Sequence, residues 1–115
     1  MLSVSPQQSV SFNRETKNYD GGNRPVRIKE KILTSLKQGQ KLHSEKKFDE
    51  AIDTYSLAIT TIIDSNNPTY NKIQSIALVL RGNVYKEKGE NKLALQDHNE
   101  GLKINPTAAR YIRVY

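Results

Sequence analysis

A segment of about 25 residues occurs twice in this chain, with the second copy 43 positions after the first. The copies align three pairs of small residues: Gly39 with Gly82, Ala51 with Ala94, and Ala58 with Gly101. Small residues at matching points of successive helices let the helix backbones approach closely. A unit repeated in this way cannot bury its apolar face alone, so it stacks on a neighbour. The repeat therefore predicts stacked helical hairpins, an architecture that usually presents a binding surface.

The size and composition of the chain indicate one small domain. It has 115 residues, of which 36% are hydrophobic, and no cysteine. Disulfides and thiolate zinc sites are therefore excluded, and a small core predicts marginal stability. No run of about 18 apolar residues is present, so we expect no membrane contact. The N-terminus lacks an apolar stretch long enough for a secretory signal, which favours a cytoplasmic protein, with the nucleus as the alternative.

The positive charge lies in the first half of the chain. Residues 1–47 carry ten Lys or Arg against four acids, whereas residues 48–115 carry eight of each. A basic tail can contact nucleic acid, anionic lipid or an acidic partner. The basic residues form no block, and no aromatic ladder interleaves them as base stacking requires. A solvated tail is therefore the favoured interpretation, and nucleic-acid binding by residues 14–47 is the alternative.

The chain divides into a tail and a helical domain. Residues 1–25 are rich in Ser, Gln and Asn, with too few apolar groups to offset the entropy of ordering, so we expect a disordered tail. Apolar periodicity across 26–115 predicts helices at about 26–44, 49–65, 69–88 and 91–104. No strand-length alternation is bounded by turns on both sides. We therefore predict an all-α fold of tandem antiparallel helix hairpins, with repeats at about 30–65 and 70–106 and a capping helix over 107–115.

The two segments resemble tetratricopeptide repeats, which are helix–turn–helix units of about 34 residues. The first copy matches the family pattern at Gly39, Leu42, Phe48, Ala51, Tyr55 and Ala58, and the second at Gly82, Tyr85, Gly89, Ala94 and Pro106. The chain departs from the pattern at three positions, with Lys46 at a turn glycine, His98 at an aromatic and Gly101 at an alanine. The 43-residue spacing also exceeds that of the family, and the extra residues fall around 65–73.

The resemblance assigns two sets of residues. Packing within and between repeats is expected from Gly39, Ala51, Tyr55, Ala58, Gly82, Tyr85, Ala94 and Gly101. In the family, the first helix of each repeat lines a concave groove that receives peptides. The implied groove residues are Leu33, Leu36, Lys37, Gln40 and Ser44 from the first repeat, and Ile76, Val79, Leu80, Asn83 and Lys86 from the second. Such a groove would combine apolar burial with amide hydrogen bonds to a peptide backbone.

One subset of the family binds the C-terminal carboxylate of chaperones through Lys and Asn at defined groove positions. Those positions hold Leu36, Gln40 and Leu80 in this chain. A bound carboxylate would lose most of its donors, and burying an unpaired carboxylate is costly. The resemblance therefore implies a protein or peptide partner and disfavours the chaperone tail.

Metal, cofactor and catalytic sites are not predicted. The two histidines, His43 and His98, fall on different helices, and the neighbours of His98 point to diverging faces. We expect His98 to pack against the core and His43 to face solvent at a helix end. No nucleophile stands on a strained turn. The Asp20–Asn23 segment has two glycines but lacks the Lys of a phosphate cradle.

The function predicted from sequence is therefore that of a non-enzymatic adaptor or scaffold, co-chaperone-like in type, that binds a protein segment in its groove. The alternatives are nucleic-acid binding and a regulatory subunit that stabilises a larger assembly. Two repeats are fewer than the three or so that usually fold independently, so the alternatives are homodimerisation, stabilisation by a partner, or a shortened member of the family.

Overall fold

The structure is a computed structural model that describes residues 27–113, and helices make up nearly all of this part. The four α-helices are α1 (Ile28–Ser44), α2 (Phe48–Ser65), α3 (Asn71–Lys88) and α4 (Asn91–Ile104). A 3-10 helix at Pro68–Tyr70 precedes α3, and a closing 3-10 helix at Pro106–Tyr111 follows α4. No strand occurs between residues 27 and 113, so the all-α prediction is confirmed. The predicted disordered tail, 1–25, lies outside the described residues.

The helices pack in chain order, α1 on α2, α2 on α3 and α3 on α4, which confirms the tandem hairpins. One apolar cluster joins the first three helices, with Ile32 and Leu36 from α1, Tyr55 and Ile59 from α2, and Val84 from α3 among its members. Within the described residues, no helix has the length and apolar character needed to cross a membrane.

Both hairpins turn through the same backbone motif. In the first, the Lys46 and Lys47 amides donate to the His43 and Leu42 carbonyls, each at 2.9 Å. The second hairpin repeats this pattern at Gly89 and Glu90. This is the Schellman motif, whose first residue beyond the helix is left-handed. Gly89 has φ 99° and Lys46 has φ 63°, so Lys46 makes the turn in spite of its side chain.

A glycine and a ring face each other across each hairpin. A Cβ added at Gly39 would lie 2.5 Å from Cε1 of Tyr55, and one added at Gly82 would lie 2.5 Å from Cδ2 of His98. Each ring follows its glycine by 16 residues. The rings therefore press on the helix backbone at positions where only glycine leaves room.

The same three-residue motif follows the second helix of each repeat. Asn67 accepts a hydrogen bond from the Thr69 amide at 3.0 Å, and Asn105 accepts one from the Thr107 amide at 3.2 Å. A proline stands between the two partners in both cases, where its missing N–H is not needed. The second motif opens only the closing 3-10 helix.

The predicted terminal helix over 107–115 is present as a shorter 3-10 helix, and its last two positions, 114 and 115, lie outside the described residues. The closing 3-10 helix ends at Tyr111, and Ile112 is extended, with φ −71° and ψ 132°. The side chain of Asn83 binds the Tyr111 carbonyl and the Arg113 N–H. These backbone groups are therefore paired with α3 and do not continue a helix.

Candidate functional site

A concave cavity of about 450 Å³ opens between α1 and α3. Its lining comprises Gln40, His43, Ser44, Lys46, Tyr55, Leu80, Asn83, Glu87 and Arg113. Most of these side chains are polar or charged. The cavity suits hydrogen bonding to a polypeptide better than enclosure of an apolar small molecule.

The structure separates the ten predicted groove residues into groups. Gln40, Ser44, Leu80 and Asn83 line the main cavity together. Ile76 and Lys86 each line a smaller depression nearby, whereas Leu33 and Lys37 are exposed on α1 outside all of them.

Two predicted groove residues, Leu36 and Val79, are buried and line neither the main cavity nor the two smaller depressions. Leu36 belongs to the apolar cluster. Val79 packs against Gly101 of α4, and a Cβ added at that glycine would lie 3.0 Å from Cγ2 of Val79. Since these aliphatic side chains turn inward, the groove is more polar than expected from sequence.

The residues assigned to repeat packing lie in the interior with one exception. Tyr85 is half-buried, with the Arg81 guanidinium 5.8 Å from its ring centre. The buried residues are Gly39, Ala51, Tyr55, Ala58, Gly82, Ala94 and Gly101.

One edge of the cavity holds a cluster of charged groups. His43 Nε2 lies 2.7 Å from Oε1 of Glu87, and the Lys46 ammonium donates to the other oxygen of the same carboxylate. Hydrogen bonds from Lys46 and His43 lower the pKa of Glu87. His43 was expected to face solvent, but its side chain is only 17% exposed and its ring packs edge-on against Phe48. The reason is Glu87, which draws the ring toward α3.

Asn83 is the most constrained polar residue of the site, with 1% exposure. Its Nδ2 donates to the Tyr111 carbonyl at 2.8 Å, and its Oδ1 accepts from the Arg113 N–H at 3.0 Å. The same Oδ1 lies 3.1 Å from Nε2 of His98. Because Oδ1 can only accept, Nε2 of His98 carries the hydrogen. Burial lowers the pKa of His98, which favours this neutral form.

Gln40 occupies the position of Asn83 in the first repeat. It is exposed, and no residue within 27–113 forms a hydrogen bond with its side-chain amide. The two repeats therefore present the same kind of group to the cavity in two states, one engaged by the C-terminal segment and one without a hydrogen-bond partner among residues 27–113.

A charged network behind the site fixes α2, α3 and α4 together. The Arg81 guanidinium donates to both oxygens of Asp97, at 2.7 and 2.8 Å, and to Oγ of Ser56 at 2.9 Å. The hydrogen bond with Asp97 raises the pKa of Arg81, so the guanidinium stays charged at every physiological pH. The network holds the groove-forming helix α3 in a fixed orientation.

Sequence reasoning missed this network, although a signal for it was present. Gly39 and Tyr55 are 16 residues apart, as are Gly82 and His98, and both pairs are in contact across a hairpin. Arg81 and Asp97 have the same separation, which would have placed them opposite each other. The roles of Glu87 and Arg113 had no comparable signal, because both depend on pairings between distant parts of the chain.

The described residues give no sign of a metal centre. Between residues 27 and 113, no three His, Asp or Glu side chains are grouped so as to hold an ion.

Comparison with known proteins shows similarity to a DnaJ homolog but does not assign the chain to a family. No family model matches the chain, and no solved structure matches it. The chain is 39% identical over 81 residues to a DnaJ homolog subfamily C member 3 homolog from Dictyostelium discoideum. The aligned residues are 70% of this chain and 15% of that protein. The chain is therefore similar to a small part of a much longer protein.

Proposed function

We propose that this chain is a non-enzymatic, chaperone-associated interaction module of the tetratricopeptide type, which binds a protein segment in the cavity between α1 and α3. The observation that carries the proposal is the pair of equivalent amides, Gln40 and Asn83, on the cavity-facing side of the first helix of each repeat. An amide both donates and accepts, so it can pair with a peptide backbone. The Asn83 amide already pairs with the backbone of Tyr111 and Arg113, whereas the Gln40 amide has no hydrogen-bond partner among residues 27–113. The chaperone association is supported by the similarity to a DnaJ homolog.

The charges of the site favour an internal protein segment over a chain terminus. The Lys46 ammonium, a cation at the cavity, is already paired with Glu87. A free carboxylate would therefore compete with Glu87 for Lys46, or depend on Arg113 alone. An internal segment brings no such charge and pairs with Gln40 through its backbone. We therefore infer that the partner is a protein segment, and that a chaperone tail is a poor ligand.

Site-directed photo-crosslinking tests this proposal. A photoreactive phenylalanine derivative is placed at Gln40 in one chain and at Asp53, an exposed residue of α2 outside the cavity, in a control chain. Both chains are irradiated in a total protein extract, and crosslinked proteins are identified by mass spectrometry. We expect distinct polypeptides, chaperones or the proteins bound to them, to crosslink from Gln40 and not from Asp53.

Two outcomes would count against the proposal. The same crosslinked proteins from both positions would mean that the cavity has no special role. Distinct crosslinks from Gln40 that include neither chaperones nor chaperone-bound proteins would refute the chaperone association and leave the groove assignment standing.

A further inference from the structure

The segment that follows α4 lies in the groove of its own stack. Its backbone is extended at Ile112, and the residues on either side both contact Asn83. The Asn83 amide donates to the carbonyl of Tyr111 and accepts from the N–H of Arg113. One side chain thus pairs with an extended backbone at two points, which is how a groove holds a peptide strand.

Both contacts use main-chain atoms of the segment, so they do not depend on its side chains. Asn83 is buried, and a buried amide without partners costs free energy. Asn83 therefore keeps the segment in place until another backbone offers the same carbonyl and N–H.

The segment also lines three depressions of the surface. The main cavity reaches Arg113, a second depression of about 270 Å³ is lined by Arg110 and Tyr111, and a third of about 220 Å³ is lined by Ile112 and Arg113. The main cavity and the third depression therefore share Arg113.

The segment fills its place incompletely. Ile112 is half-buried and lines the third depression together with Leu95, a large apolar side chain that remains 60% exposed. A larger apolar side chain at the position of Ile112 would cover more of Leu95. Since affinity rises with the apolar area buried, a better ligand than the chain's own segment is sterically available.

We propose that residues 111–113 are an intramolecular ligand of the groove, and that a partner binds by displacing them. The displacing segment is extended, pairs its backbone with Asn83 and places an apolar side chain larger than that of Ile112 over Leu95. This inference rests on the proposed function and adds to it the competitor that a partner must overcome. Self-occupancy lowers the apparent affinity for a partner by the fraction of chains whose groove is free.

The test compares two full-length variants at one exposed position. Arg113→Pro removes the N–H that Asn83 accepts from, and the extended backbone of Ile112 already suits a residue before proline. Arg113→Ala is the matched control, because it removes the same side chain and keeps the N–H. The probe is a fluorescein-labelled peptide with the sequence of residues 107–113, titrated into each variant and followed by fluorescence anisotropy.

We expect the probe to bind Arg113→Pro on the order of fivefold more tightly than Arg113→Ala, as loss of one competing hydrogen bond predicts. A second probe that carries Ile112→Phe should bind both variants more tightly than the first. Equal affinity of the first probe for the two variants, or no binding to either, would overturn the inference.

The inference and the proposed function fail separately. If the crosslinks from Gln40 are specific while the two variants bind the probe equally, the partner site stands and self-occupancy is refuted. If Arg113→Pro binds the probe more tightly while Gln40 gives no specific crosslinks, the segment occupies the groove and the proposed function is refuted.

Discussion

At the scale of single residues, the contact between Gly39 and Tyr55 limits what α1 tolerates. An added Cβ would come within 3 Å of three atoms of the Tyr55 ring, and that ring is 1% exposed, so it cannot move aside. Alanine favours a helix over glycine by about 1 kcal/mol. We expect the clash to exceed this gain, so that Gly39→Ala lowers the free energy of unfolding by about 1–2 kcal/mol.

Urea denaturation followed by circular dichroism measures this effect, with Gln38→Ala at an exposed neighbouring position as the control. Gly82→Ala should also lower the free energy of unfolding, because the added Cβ would lie 2.5 Å from Cδ2 of His98, whose ring is hydrogen-bonded to Asn83, and 3.2 Å from the Ala94 carbonyl. If Gly39→Ala were as stable as the natural chain, the packing of the first hairpin would be wrong.

His98 gives the stability of the chain a pH dependence. Burial lowers its pKa in the folded state, so the unfolded chain binds a proton more readily than the folded one. The contribution of His98 to the free energy of unfolding is therefore complete above its unfolded-state pKa of about 6.5. This contribution declines as the pH falls from there toward the lower pKa of the folded state.

The prediction for His98 is a lower free energy of unfolding at pH 5.5 than at pH 7.5, values that bracket the pKa of about 6.5 expected in the unfolded chain. His98→Tyr, which installs the residue of the first repeat, should reduce this difference. Urea titrations at the two pH values measure it. An unchanged difference in the variant would show that another group is responsible. Glu87 is not expected to contribute here, because its pKa is lowered and its effect is lost only at more acidic pH.

At the scale of elements, the first hairpin turn carries a correctable strain. Lys46 takes the left-handed conformation that Gly89 takes in the second turn. This conformation costs a non-glycine residue about 1–2 kcal/mol, while the ion pair of Lys46 with Glu87 is 67% exposed on the lysine side and contributes little to stability. We expect Lys46→Gly to raise the free energy of unfolding by about 0.5–1 kcal/mol.

Thermal denaturation would detect this gain as an increase in Tm, and Lys46→Ala separates the two effects. The alanine variant loses the ion pair but keeps the strain, so it should be slightly less stable than the natural chain. A Lys46→Gly chain that melts below the natural chain would show that the ion pair outweighs the strain, and one that melts below the Lys46→Ala chain would show that the turn carries no strain that glycine relieves.

The ion pair of Arg81 and Asp97 connects α3 with α4, so its loss should lower the free energy of unfolding. Their side chains are 21% and 9% exposed. Removing one partner leaves the other buried without its counter-charge, so we expect Asp97→Ala to cost about 2–3 kcal/mol. Replacing both, as Arg81→Met with Asp97→Leu, should cost less than Asp97→Ala alone. Urea titrations of the natural chain and the two variants measure these free energies of unfolding. A double variant less stable than Asp97→Ala would contradict the prediction.

At the scale of the whole molecule, local sequence patterns predicted the helices, whereas the geometry of the site depends on contacts between residues that are far apart in the sequence. The limits of α4 follow from its apolar spacing and flanking turns, and Gly89 ends α3 as its conformational freedom predicts. Leu36 follows Ile32 by four positions and lies on the same buried face of α1, whereas the resemblance assigned it, like Val79, to the groove. Their burial was therefore missed.

The C-terminal segment was missed for a different reason. Its extended course depends on Asn83, which precedes Tyr111 by 28 positions and Arg113 by 30. A periodicity argument sees only neighbours within a helical turn or two, so it extended a helix to the end of the chain. The repeated Asn-Pro-Thr at 67–69 and 105–107 was the available hint that a new element begins there.

The central claim is that the cavity between α1 and α3 binds the partner. Isothermal titration calorimetry tests it most directly, using the partner segment identified by crosslinking and two matched double variants. Gln40→Ala with Ser44→Ala removes polar groups from the cavity, and Asp53→Ala with Glu100→Ala removes exposed polar groups outside it. We predict a loss of affinity of about tenfold or more for the first variant, as expected for two hydrogen bonds, and none for the second. Equal affinities of both variants and the natural chain would contradict the claim.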